Sequence, residues 1–255
     1  MSEDTKMGGR GGRFPSTRWS AVVAARSDDT LERRRGLDAI VTTYWKPVYK
    51  YIRIRWGKSN EDAKDLTQGF FARLIEKDFL GGFDPAKARL RTFLRVCVDG
   101  HVANEAKSAQ RLKRGGDAVH LSLDFEGAEV ELERARLPSS PPASVDAMED
   151  LFEREWARSL FSYAVEDLRR ECEQREKHIQ FRLFEMYDLE DDNERRTSYA
   201  ELARQFGIAV TDVTNYLAFA RREFRRIVLE RLREMTANEQ EFRREARALL
   251  GVEPE

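Results

Sequence analysis
The sequence predicts an all-α protein built as two small helical domains joined by a flexible linker. Three observations carry this. Apolar residues recur at three- and four-residue spacing through most of the chain. That periodicity stops over 115–144, an acidic stretch whose end is rich in Pro and Ser. A helix-turn-helix pattern then occupies 198–226.

Residues 1–15 are Gly-rich and polar and are expected to be disordered. Residues 16–114 read as a helical bundle. Periodicity begins at Trp19, Val22 and Val23, and Ser27 to Thr30 offer caps for a helix that turns Leu31, Leu37, Ile40, Val41 and Tyr44 inward. Pro47 suits the first turn of a further helix, which carries Val48, Tyr49, Tyr51, Ile52 and Ile54 and stops before Gly57.

The next helix opens on Ser59 and Asp62, spaced as a capping box. Ala63, Leu66, Phe70, Phe71 and Leu74 project onto one arc, and Asp62, Asp65 and Gly69 onto another. One face packs and the other is offered to a partner, or is simply a solvated acidic face favoured by the helix dipole. Gly81 and Gly82 break this helix. Arg89, Arg91, Phe93, Arg95, Asn104, Lys107 and Arg111 follow on another, a basic helix with an interleaved aromatic of the kind that holds phosphates and stacks on a base. Phe93 with Leu90, Leu94 and Val98 equally fits a core stripe. His101 stands alone and reads as an ordinary, partly buried histidine.

Over 115–144 only Val119, Leu121, Leu123 and Phe125 alternate, which suggests a short strand or hairpin around Gly127 within an acidic linker. Residues 145–235 form the second domain. Met148, Leu151, Phe152, Trp156, Leu160, Phe161 and Leu168 keep helical spacing, a further helix covers 178–187, and an acidic loop covers 189–194. In the helix-turn-helix, Ala200, Leu202, Ala203 and Phe206 share one face, Gly207 makes the corner, and Val213, Leu217 and Ala220 line the second helix. That helix turns out Thr211, Asp212, Thr214, Asn215 and Ala218, followed by Arg221, Arg222, Arg225 and Arg226 at phosphate height. A helical hairpin with a charged surface is the plainer reading of the same pattern. The tail, 236–255, continues as a charged helix to about Ala248.

Charged residues make up 36% of the 255-residue chain, against roughly 25% in an average globular protein. The net charge is only −1, so affinity for nucleic acid has to come from local patches. Cys97 and Cys172 lie on apolar faces without neighbouring ligand types, which predicts two reduced thiols rather than a disulfide or a metal site. No apolar run approaches a membrane span and the N-terminus lacks an apolar signal core, so a cytoplasmic location is expected. No catalytic or cofactor-binding constellation stands out, and enzymatic activity is not expected.

The order of an acidic helix, a basic aromatic helix, an acidic linker and a helix-turn-helix resembles the extracytoplasmic-function class of bacterial RNA polymerase sigma factors. Asp62-Ala-Lys-Asp65-Leu-Thr-Gln68-Gly-Phe-Phe71 looks like the helix with which that class docks on the β′ clamp, and Arg89-Leu-Arg91-Thr-Phe93-Leu like its promoter-melting helix. Phe14-Pro-Ser-Thr-Arg-Trp19-Ser, Lys113-Arg-Gly-Gly116 and Ser198-Tyr-Ala-Glu-Leu-Ala203 resemble a subgroup of it. The resemblance covers about residues 14–235. It implies core polymerase binding through Asp62, Asp65 and Gln68, with the β flap as a second polymerase contact. It implies minus-ten DNA binding through Arg91, Phe93, Asn104, Lys107 and Arg111, and minus-35 DNA binding through Thr214, Asn215, Arg221 and Arg222.

Lys64 and Gly69 depart from the class, standing where its docking helix commonly carries acidic residues. Phosphorylation of Thr67 by a Ser/Thr protein kinase would restore negative charge there. Against that, Thr67 projects into the apolar arc, where its hydroxyl would bond back to the helix. Control by an anti-sigma factor is the other route. A helix-turn-helix regulator that binds DNA without polymerase accounts for the last third of the chain equally well; a nucleic-acid enzyme fits least.

Overall fold
The computed structural model describes residues 21–76, 79–109, 121, 123–134, 144–190 and 197–251. The expectations for residues 1–15, for the stretch around Trp19, for Arg111 and for 113–116 lie outside them. Every regular element among the described residues is helical.

A four-residue helix, α1 (Ala21–Ala24), lies against α2 (Thr30–Arg55). Asp29 caps α2, accepting from the amides of Leu31 and Glu32. A side chain at Gly36 would run into the Ala25 nitrogen and the Ala21 carbonyl, so glycine is what lets the two backbones touch. The break expected before Pro47 is absent, and α2 runs through it. A proline inside a helix costs about 3 kcal/mol, but Tyr44, Trp45, Val48 and Tyr49 on either side of it are all buried. Packing along the whole length outweighs one lost hydrogen bond. Leu31, expected to face inward, is exposed in the first turn.

Next come α3 (Asn60–Glu76), a 3-10 turn (Phe79–Gly82) and α4 (Leu90–Ala109). The hairpin expected around Gly127 is instead a helix, α5 (Phe125–Arg134). Asp124 caps it by accepting from the Gly127 amide at 3.0 Å. The alternation that suggested a strand ends at Phe125, which packs on Trp45 and Tyr49 of α2 with ring centroids 5.5 and 5.1 Å away. Glu129 and Glu131 then pair with Arg53, Lys46 and Lys50.

Ser144 caps the longest helix, α6 (Val145–Gln174). It leads to α7 (His178–Phe184) and a single π turn (Glu185–Leu189), then to α8 (Tyr199–Phe206), α9 (Val210–Glu234) and α10 (Glu239–Leu250). The charged helix expected to run on to Ala248 is interrupted before α10, which Asn238 caps. The two expected units are in contact. Phe152 of α6 sits edge-on against Tyr51 of α2 at 5.5 Å, and Trp45 donates to the Tyr163 hydroxyl at 3.0 Å. Lys50, almost fully buried, lies 2.7 Å from Glu155 of α6 and 2.8 Å from Glu131 of α5. Ile227, Val228 and Leu232 of α9 extend the same core.

Candidate nucleic-acid and partner interface
The helix-turn-helix has the turn and the packed stripe its spacing predicts, except that Ala200, expected on the inner face of the first helix, is exposed. Ser198 and Glu201 close a capping box at the start of α8, and Gly207 turns the chain at φ 65°, a left-handed conformation that glycine adopts without strain. Leu202, Ala203, Val213, Leu217 and Ala220 are buried between the helices. Thr211, Thr214, Asn215 and Ala218 are exposed on α9. Asp212 has a local task, because its carboxylate accepts from the Ala209 amide at 3.3 Å and caps α9. Arg222 and Arg225 are open to solvent. Arg221 is held by Asp188 of the π turn through contacts of 2.9 and 2.8 Å, and this pairing raises its pKa. A phosphate would have to compete with Asp188 for it.

On α3, Gln68 is half-buried, whereas Asp62 and Asp65 are exposed and carry no ion pair among the described residues. They line a cleft of about 380 Å³ together with Gly69, Arg73, His101 and Glu105. Thr67 is a correction to the expected phosphorylation site. It has no exposed surface, and its hydroxyl donates to the Ala63 carbonyl at 2.7 Å. The apolar-arc alternative therefore describes it, and this fold offers no hydroxyl at Thr67 to a kinase.

Gly69 sits in the helix interior with room beside it. A Cβ there would lie 3.6 Å from His101 Nε2, an ordinary contact. Gly69→Ala is accordingly expected to stabilise the protein by about 0.5–1 kcal/mol, the usual gain for glycine to alanine in a helix. Chemical denaturation would show the gain as a higher midpoint.

His101 is more enclosed than expected. Burial first, then Arg73, pulls its pKa below the ordinary value, against the upward pull of Glu105 and the Leu66 carbonyl. Arg73 donates toward Nδ1 at 3.3 Å, which places the proton of the neutral ring on Nε2. The Leu66 carbonyl is near, yet buried Nε2 makes no hydrogen bond among the described residues. Below about pH 6.5 the unfolded chain binds a proton at this position that the folded chain still refuses. Stability should thus fall as the pH drops from that value towards the lowered folded pKa. The thermal midpoint of the wild type is expected to drop more between about pH 7 and pH 5 than that of His101→Gln.

On α4 the expected DNA-binding residues divide into two faces. Asn104 and Lys107 are exposed, with Val96 and Gly100 beside them. Phe93 is half-buried against Phe83, with centroids 5.3 Å apart, in keeping with its reading as core. Arg91 is not available as expected, being only 5% exposed. Burial is the largest influence on it and would lower its pKa, but Glu153 and Glu245 more than offset that and hold it above the usual value. Its guanidinium stacks on Trp156 at 4.4 Å. Arg91 shares a helical stripe with the buried Leu94, Val98 and Val102, so its spacing already places it on the packed face, but its partners Glu153 and Glu245 lie far from it in sequence.

Cys97 and Cys172 are free thiols, and burial pushes Cys97 up to about 11. Among the described residues no cluster of three or more His, Cys, Asp or Glu could hold a metal, and no helix is long and apolar enough to cross a membrane. No protein-family model, curated protein or solved structure matches the chain.

Proposed function
We propose that the protein is an RNA polymerase sigma factor of the extracytoplasmic-function class, which directs core polymerase to promoters and helps to melt them. The observation that carries this is the pairing, in one fold, of two surfaces free to meet partners. One is the α3 face with unpaired Asp62 and Asp65; the other is the α9 face with Thr214 and Asn215. In this reading α3 docks on the β′ clamp, and α4 presents Asn104 and Lys107 to the minus-ten strand. The α8–α9 pair reads the minus-35 major groove through side chains short enough to reach base edges. Bundle and helix-turn-helix act as the two working units of the factor, joined through 115–144.

Lys64 and Gly69 leave the docking face short of negative charge, so binding to a basic polymerase surface is weak. Gly69→Glu, at a half-buried position where a Cβ meets the His101 ring at ordinary contact distance, is the direct way to add charge. The test is binding to purified core RNA polymerase without DNA. Wild type should bind, Gly69→Glu more tightly, and Asp62→Ala/Asp65→Ala not at all. A regulator that binds DNA without polymerase is the second reading, favoured by the burial of Arg91. It predicts duplex binding through α9 with no polymerase binding by any variant.

A further inference from the structure
The arginines at the start of α4 all face carboxylates from elsewhere in the fold. Arg91 Nε lies 2.5 Å from Glu153 of α6, and its Nη1 2.8 Å from Glu245 of α10. Arg89 Nε is 3.2 Å from the same Glu245 and its Nη1 3.9 Å from Glu153. One turn on, Arg95 lies 3.8 Å from Asp99 on its own helix and 3.7 Å from Glu149 of α6. Guanidinium groups bind carboxylate and phosphate oxygens through the same geometry. We propose that α10, with the adjoining stretch of α6, is an intramolecular mask, whose carboxylates occupy the arginines of α4 that hold single-stranded nucleic acid once α10 is displaced. The inference depends on α4 being a nucleic-acid-binding helix.

The contact is close in charge but poorly satisfied in hydrogen bonds. Glu245 is 1% exposed, yet neither of its oxygens accepts a well-directed hydrogen bond, and the buried Arg95 Nε also lacks a partner among the described residues. Buried ion pairs with imperfect geometry recover little more than the desolvation they cost. The closed form is therefore held by a margin that a competing polyanion can overcome.

The mask itself is slight. Helix α10 has 12 residues and is set off from α9 by a break, and it buries Phe242 and Ala246 along with Glu241 and Glu245. A helix of that length is marginal on its own. Release would let it unfold, and the chain entropy gained favours the open form. Val96, Gly100, Asn104 and Lys107 form the exposed face of α4, across the helix from Arg91 and Arg95.

The test uses fluorescence anisotropy with a labelled single-stranded oligodeoxynucleotide and the full chain. Glu153→Gln/Glu245→Gln keeps side-chain shape and removes both charges. It should bind about tenfold more tightly than wild type, and with a steeper salt dependence, by about 0.7 in the log–log slope for each phosphate gained. Arg91→Ala in that background should abolish the gain. Equal affinity of the double variant and wild type, with an unchanged circular dichroism spectrum, would overturn the mask.

Hydrogen exchange on the unmodified chain is the second readout, independent of any substitution. Amide protection in α10 should fall on saturation with the oligonucleotide, and undiminished protection in the bound state would likewise refute release. Core polymerase binding by the same proteins separates the two levels. Unmasked strand binding without polymerase binding retains the mask and removes the sigma reading; polymerase binding with no unmasking does the reverse.

Discussion

Thr67→Glu is expected to cost the protein its cooperative fold rather than to activate it. The side chain has no exposed surface and lies on the apolar face of α3, with Ala63, Phe70, Phe71 and Leu74 also buried. A longer, ionisable group there must either carry a charge without water or partner, or force α3 away from its neighbours. Burying an uncompensated carboxylate belongs to the short list of changes that cost about 4 kcal/mol or more. Thr67→Val keeps the shape and loses only the back-bond to Ala63, whose carbonyl is already used by the helix; it should stay within about 1 kcal/mol of wild type. Urea unfolding of the two variants would decide. A folded Thr67→Glu protein with tighter polymerase binding would restore the phosphorylation switch.

Lys50→Met should be the second large effect. Lys50 is the middle of a chain of charges that runs Lys46, Glu131, Lys50, Glu155, Arg158 across α2, α5 and α6. Glu155 is 2% exposed, and without Lys50 only Arg158 among the described residues remains to compensate it. Removing one partner of a buried pair costs roughly 3–5 kcal/mol. Lys50→Met/Glu155→Gln removes the orphaned charge as well and should recover more than half of that loss. A double-mutant cycle by chemical denaturation measures the coupling directly. A Lys50→Met protein as stable as wild type would mean that the chain of charges is hydrated and open.

Much of this architecture is legible in the sequence because it is local. Gly207 between two apolar stripes specifies the α8–α9 corner, and Ser144 before Val145 marks the start of α6. What escaped the reading depends on contacts between distant segments. Pro47 looks like a helix start until the burial of α2 along its whole length is known. Phe125 looks like the end of an alternating strand, whereas Phe125, Ala128 and Leu132 are spaced for a helix once Asp124 is seen as its cap. The proposed site divides the same way. Asp62, Asp65, Thr214 and Asn215 are outward by periodicity alone, and they are exposed. Arg91 lies on the same stripe of α4 as the buried Leu94, Val98 and Val102, and what spacing could not supply is that Glu153 of α6 and Glu245 of α10 meet it there.

The docking of α5 on α2 has a geometric consequence. Because Phe125 is seated on Trp45 and Tyr49, the tether between the bundle and α6 is not the whole of 115–144 but only the residues from the end of α5 at Arg134 to the Ser144 cap. A chain gains at most about 3.3–3.6 Å per residue, so that stretch spans no more than roughly 35 Å, close to one turn of B-DNA. If α6 leaves α2 while α5 stays seated, the helix-turn-helix travels on a leash of that length. On the proposed sigma-factor reading, lengthening 135–143 would then widen the range of promoter spacings tolerated, whereas freeing α5 from α2 would lengthen the leash without adding a residue.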